Sequence, residues 1–142
     1  MMFPKKGRKR AKAGRLPALD AKLWRIFAKY IRRRDCPDGW GTCISCGSPK
    51  QYADLQAGHF IGRRYKATKF HEQNVHAQCV SCNKYNSGRA YEYSLAIDRK
   101  YGAGTAETLY NLSRMRGSRL DRLWYEDAIQ RYTEKLKALE GS

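Results

Sequence analysis

The sequence predicts an α+β chain, mostly helical, organised around a metal-pinned middle, and three observations carry that reading. Cys43-Ile44-Ser45-Cys46 and Cys79-Val80-Ser81-Cys82 are two Cys-x-x-Cys knuckles, far enough apart to bring four thiolates to the corners of one tetrahedron. Between them the chain is loop-rich, with too many Gly and polar residues for a long strand yet compatible with a short hairpin arm. On both sides of that middle, apolar residues recur at helical spacing.

Composition sets the class of partner. Lys and Arg number 29 against 13 Asp and Glu in 142 residues, a formal net charge of +16. A field of that sign favours a polyanion, with nucleic acid ahead of an anionic membrane or simple solubility. No run of about 18 apolar residues is present, so a spanning helix is not expected. The basic N-terminus lacks the apolar stretch of a secretory signal. Cysteines in knuckle spacing suit a reducing cytoplasm and a metal better than disulfides. Cys36 is left over, either a partly buried free thiol or a substitute for Cys43 as ligand.

Taken in order, residues 1–17 form a basic arm. Lys5, Lys6, Arg8, Lys9, Arg10, Lys12 and Arg15 stand there without an acid, interrupted by Pro4, Gly7, Gly14 and Pro17. Such a segment cannot pack a core, and it is expected to be disordered and to track phosphates. Leu19, Leu23, Ile26, Phe27, Tyr30 and Ile31 then give the period of an amphipathic helix, with Asp20 placed to cap or charge its first turn. Arg32, Arg33 and Arg34 complement the dipole at its end and lie within reach of DNA. Residues 35–41 read as a turn. Residues 52–61 suit a short arm carrying His59, residues 74–78 the returning arm, and residues 79–86 a short helix ended by Ser87 and Gly88. Three helices follow. One runs to Gly102, one from Thr105 to Met115 with Thr105 as N-cap, and one from Ser118 to Leu139. The last would turn Leu120, Leu123, Trp124, Ala128, Tyr132, Leu136 and Leu139 to one side. A folded unit over 18–115 thus carries a C-terminal helix over 116–142, packing on the zinc unit or on a second subunit.

The candidate chemistry sits in the middle. Cys43, Cys46, Cys79 and Cys82 are assigned one structural zinc per chain, and four protein ligands leave no open position for a catalytic water. His59 and Asn83 are residue types a one-metal nuclease uses, an imidazole base and an amide oxygen for a hard cation such as Mg²⁺ or Mn²⁺. Arg63 or Arg64 would grip a non-bridging phosphate oxygen. Lys66 and Lys69, interleaved with Tyr65 and Phe70, offer a surface for backbone tracking, and His71 reads as an exposed loop residue. Asn74 is expected to bridge the backbone between the two arms and hold the loop of the imidazole in shape.

These residues carry a resemblance. The knuckles, Ala57-Gly58-His59-Phe60 with Arg63 and Arg64 behind, Phe70, Asn74-Val75-His76-Ala77-Gln78-Cys79, Cys82-Asn83 and Ser87-Gly88 resemble the NinG (Rap) recombination proteins of lambdoid phages. Tyr93, Leu95, Gly102 and Leu109 fit the same pattern, so the likeness covers roughly residues 20–115. More distantly the segment is similar to HNH, or ββα-metal, nucleases and to phage endonuclease VII. The resemblance implies a treble-clef zinc unit on a ββα-metal core with flanking helices, and Mg²⁺-dependent cleavage of branched recombination intermediates such as Holliday junctions or D-loops. It pairs His59 as base with Asn83 as metal ligand, and symmetric junction cutting would call for a homodimer in the cytoplasm of a bacterial host. One departure stands out. Many HNH nucleases carry an acid or a histidine immediately before the base, where it binds the metal, and here that residue is Gly58. Either Asn83 holds the ion with water and substrate phosphate, or Asp54 or His76 completes the set. Two further readings are a general or nicking HNH nuclease and a non-catalytic, zinc-stapled nucleic-acid-binding module.

Overall fold

Leu23, Phe27 and Ile31 recur every four residues and are fully buried, which fixes one face of helix α1, Arg15–Asp35, in the computed structural model. The structure describes residues 15–117 and 119–141. The expectations for Lys5, Lys6, Arg8, Lys9, Arg10 and Lys12 lie outside them. Arg15 and Pro17, assigned to the basic arm, instead form the first turn of α1, where the missing N–H of Pro17 costs no hydrogen bond. Asp20 therefore lies inside the helix rather than at its cap, and it is buried.

Two short antiparallel hairpins follow. Strands β1 (Trp40–Thr42) and β2 (Pro49–Gln51) pair Trp40 with Gln51 and Thr42 with Pro49, and the first knuckle is their connecting loop. The sequence reading put no strands there. Gly41 lets β1 lie flat on the end of α1, because a Cβ at that position would sit 2.5 Å from Cys36 Sγ and 2.8 Å from the Asp35 carbonyl. Strands β3 (Leu55–His59) and β4 (Val75–Cys79) pair Leu55 with Cys79 and His59 with Val75, close to the two arms expected. Their connection contains a single helical turn, α2, Lys66–Lys69. After β4 comes a wide helical turn, Ser81–Tyr85, then a sharp reversal at Ser87–Arg89 with Gly88 at φ 74°. Helices α3 (Ala90–Tyr101), α4 (Thr105–Ser113) and α5 (Arg122–Glu140) complete the chain.

Alternation along β4 divides the interior into two layers. Val75 joins Leu23, Phe27, Ile31, Phe70, Tyr125, Ala128 and Tyr132, so α1 and α5 cover one face of the β3–β4 hairpin together. His76 points the other way, toward Tyr93, which with Ile61, Ile97, Ala106 and Leu109 forms the core under α3 and α4. Burying side chains such as Phe27 or Ile97 stabilises the fold by about 1.5–3 kcal/mol each. Helix α5 thus shares its core with α1. Its N-cap is Asp121, whose Oδ1 accepts from the Trp124 N–H at 2.8 Å, three residues later than the expected start. The buried stripe accordingly runs through Tyr125, Ala128 and Tyr132, and Leu123 is exposed instead of buried. Among the described residues no helix is long and apolar enough to cross a membrane.

Charged groups bolt the layers together. Asp20 receives the Lys69 and Lys66 ammonium groups and, at 2.6 Å, the Tyr125 hydroxyl. Glu72 accepts from Tyr30 at 3.0 Å and from Tyr132 and Lys135 at 2.9 Å each. Arg34 pairs with Asp35 and donates to the carbonyls of Glu72 and Val75 at 2.9 Å, while Asp35 accepts the Ala77 N–H at 2.9 Å.

Candidate functional site

The four knuckle sulfurs, those of Cys43, Cys46, Cys79 and Cys82, lie within 4.8 Å of one another, with 3.9 Å between Cys46 and Cys79. Tetrahedral thiolates about 2.3 Å from one zinc stand about 3.8 Å apart, so the cluster fits that ion in size and in donor type. The loops do the aiming. Cys43 N–H donates to the Ser48 carbonyl and Gly47 N–H to the Cys43 carbonyl, both at 2.9 Å, and Gly47 takes the positive φ that closes the knuckle. Backbone N–H groups of Cys46, Cys79 and Ser45 point at the Cys43 sulfur. The Ser48 hydroxyl, 3.3 Å away, brings the Cys46 thiol down to about 6, whereas burial and the neighbouring sulfurs push Cys82 up to about 12. A divalent cation is what allows four such sulfurs to be thiolates together. Cys36 packs against this cluster as a buried thiol and is not one of the four.

His59 is the last residue of β3, and its ring stacks on Trp24 of α1 with centroids 4.8 Å apart. Its Nε2 lies 3.0 Å from the Lys69 carbonyl oxygen. A carbonyl only accepts, so Nε2 carries the hydrogen and Nδ1 presents its lone pair. Burial, helped by the Lys69 and Arg63 charges, brings the ring down to about 4 and keeps it neutral. The loop behind it is built by Asn74, which is fully buried. Its Oδ1 accepts from Ile61 N–H at 2.8 Å, and its Nδ2 donates to the carbonyls of Ile61 at 3.0 Å and Thr68 at 3.1 Å.

Asn83 sits on the turn after β4, and its Nδ2 donates to Gln56 Oε1 at 2.8 Å. A Cβ on Gly58 would lie 3.0 Å from Asn83 Oδ1. Neighbouring residues of a strand project to opposite faces, so Asn83 faces the Gly58 side and the imidazole faces α1. Trp24, Arg32, Ala57, Arg63, Asn83 and Lys84 are among the residues lining one open cleft of about 560 Å³, which His59 borders only through its stacking partner Trp24.

Several expected residues are held elsewhere. His76 is buried with both nitrogens engaged. The Tyr93 hydroxyl donates to the Gly58 carbonyl at 2.7 Å, so it accepts from His76 Nδ1 at 3.2 Å, and Tyr101 at 2.7 Å donates to Nε2. Burial brings this ring to about 3. It therefore buttresses the strand before His59 and has no lone pair for a metal. Asp54 is exposed on the short turn before β3 and does not line the cleft. Lys69 is buried against Asp20, and Arg34 is bound to Asp35 and two carbonyls, so neither cation is free for a phosphate. Lys66 also reaches Asp20 but is exposed. Arg32 and Arg33 each lie 4.0 Å from the Tyr52 ring, and Arg32 donates to its carbonyl. Arg63 and Arg64 are exposed, Arg64 donating to the Tyr65 hydroxyl at 2.6 Å. His71 accepts the Gln73 N–H at 3.2 Å. Sequence reasoning missed Trp24 and the Lys69 carbonyl. Only Trp24 left a trace, as an aromatic beside the apolar stripe of α1.

A zinc-type cysteine centre on an α+β framework defines the class, and comparison with known proteins supplies the family. The family model NinG, described as Bacteriophage Lambda NinG protein, matches residues 4–141, and the chain belongs to that family. It is 32% identical over 117 residues to Protein ninG of Escherichia phage 933W, covering 78% of this chain and 52% of that one. It is 35% identical over 79 residues to Protein ninG of Salmonella phage P22, with 55% and 36% covered. For Protein ninG of Escherichia phage lambda the figures are 36% over 72 residues, with 50% and 32% covered. The chain thus spans about half the length, or less, of these curated relatives. No solved structure matches it.

Proposed function

We propose that this protein is a divalent-metal-dependent endodeoxyribonuclease of the HNH, or ββα-metal, kind, acting on branched recombination intermediates such as Holliday junctions. The observation that carries the reading is the state of His59. Its Nε2–H is tied to the Lys69 carbonyl, its ring is kept neutral, and Trp24, on which that ring stacks, lines a cleft that also holds an arginine and a carboxamide. A base must be unprotonated and aimed, and this one is both.

In the proposed reaction His59 Nδ1 takes a proton from a water whose oxygen attacks the phosphorus. The P–O3′ bond breaks, and the leaving 3′ oxygen takes up a proton from solvent. Arg63 on the cleft wall steadies a non-bridging oxygen. Trp24 below and Asn74 behind keep the ring from turning. The Asn83 carboxamide would hold a Mg²⁺ or Mn²⁺ ion, which when bound offsets charge on the phosphate and the leaving oxygen. The net charge of +16 supports a DNA partner, with Arg32 and Lys84 as cations lining the cleft beside Arg63. Two-fold symmetric cutting would require a homodimer.

The test is cleavage of labelled four-way junction, fork and linear duplex in Mg²⁺ and in EDTA. Metal-dependent cutting confined to the branched substrates is expected. Equal cutting of linear duplex makes the protein a general or nicking nuclease, and binding without cleavage in Mg²⁺ or Mn²⁺ makes it a zinc-stapled binding module.

A further inference from the structure

We propose that Gln78 Oε1 is a second protein ligand to the cation held by Asn83, filling the place that a side chain at residue 58 would take. The inference rests on the metal-dependent reading above. Gln78 is fully buried in β4. Its Nε2 donates to Ser45 Oγ and to the Gly88 carbonyl, each at 2.8 Å. Because that carbonyl only accepts, the nitrogen end of the amide is fixed and Oε1 must point the other way. Oε1 has no partner among the described residues. A buried, desolvated carbonyl oxygen without a donor is unusual enough in a folded chain to require an explanation.

Its direction supplies one. A Cβ built on Gly58 would lie 1.8 Å from Gln78 Oε1 and 3.0 Å from Asn83 Oδ1. The carboxamide of Gln78 thus occupies the volume of an absent residue-58 side chain, and the oxygens of Gln78 and Asn83 both border that volume. Two acceptors bordering one volume suit a hard cation, which takes oxygen ligands at about 2.1–2.5 Å. Glycine at 58 is then a requirement of the site, since any side chain there would expel Gln78. Two neutral amides make a weak site, completed by water and substrate phosphate.

The experiment is a Mn²⁺ titration of the zinc-loaded full chain followed by EPR. Gln78→Ala and Asn83→Ala are each expected to weaken Mn²⁺ binding by at least about tenfold. The double variant Gly58→Asp/Gln78→Ala is expected to recover it, because it returns an oxygen to the same volume. Wild-type affinity in Gln78→Ala together with lost affinity in Asn83→Ala overturns the role of Gln78 and leaves the Asn83 reading standing. Unchanged affinity in both single variants overturns both. A measurement without mutation guards against misfolding. On Mg²⁺ addition the Gln78 side-chain ¹³Cδ resonance should move together with Asn83 ¹³Cγ, and movement of Asn83 alone refutes the proposal.

Discussion

Asp20→Ala removes the acid that holds Lys69. The side chains of Lys69 and Asp20 are only 10% and 13% exposed, so the variant leaves an ammonium group desolvated without a counter-charge and deprives Tyr125 of its acceptor. Breaking one half of such a pair costs about 3–5 kcal/mol. For a chain of this size that is a drop of about 10–15 °C in Tm. The same change loosens the turn whose Lys69 carbonyl orients His59. The assay is thermal and urea unfolding of the zinc-loaded protein followed by circular dichroism. Adding Lys69→Met to Asp20→Ala removes the stranded charge and should recover at least half of the loss. A loss below about 1 kcal/mol, or a double variant no more stable than the single one, refutes the reasoning.

Further outcomes follow from the same structure. Metal analysis should find one zinc per chain, and chelation or Cys79→Ser should collapse the β1–β2 unit; a folded protein containing no zinc contradicts the cysteine centre. Asn74→Ala strands two carbonyls and one N–H in the interior and should cost about 3 kcal/mol in urea unfolding, with a loss under about 1 kcal/mol contradicting its bridging role. His59 and His76, held at about 4 and about 3, should show no ring titration by NMR between pH 8 and 5.5. Their neutral rings take up protons less readily than in the unfolded chain, whose value is 6.5, so the stability they confer is complete above that pH. It declines as the solution is acidified toward about pH 4, by up to about 1.4 kcal/mol per pH unit for each ring, and a stability flat over that window would contradict the burial described.

What the sequence made legible was local. Knuckle spacing brings four sulfurs together with little help from elsewhere, and Leu23, Phe27 and Ile31 announce a helix by their period alone. The arm ending at His59 and its return were readable only in outline, because Leu55–His59 contains no β-branched residue and Val75–Cys79 only Val75. Strands β1 and β2 were not readable, since three residues apiece with Gly41 and Pro49 among them carry no strand signal and depend on the knuckle and the end of α1. Charges were the least legible feature. Asp20, Arg34 and Lys69 each resemble surface groups until partners 41 to 105 residues away are known. Gln78 was visible only as one residue of the motif from Asn74 to Cys79, because the role proposed for it lies in an unpaired oxygen beside Gly58.

The central claim is that one imidazole, held neutral and aimed from behind, accepts the proton of the attacking water. Single-turnover cleavage of a four-way junction by His59→Ala, with junction affinity measured alongside, tests it most directly. The account expects the rate to fall by about 10²–10⁴-fold while affinity and zinc content stay as in the wild type. A variant that cuts the junction at the wild-type rate contradicts it.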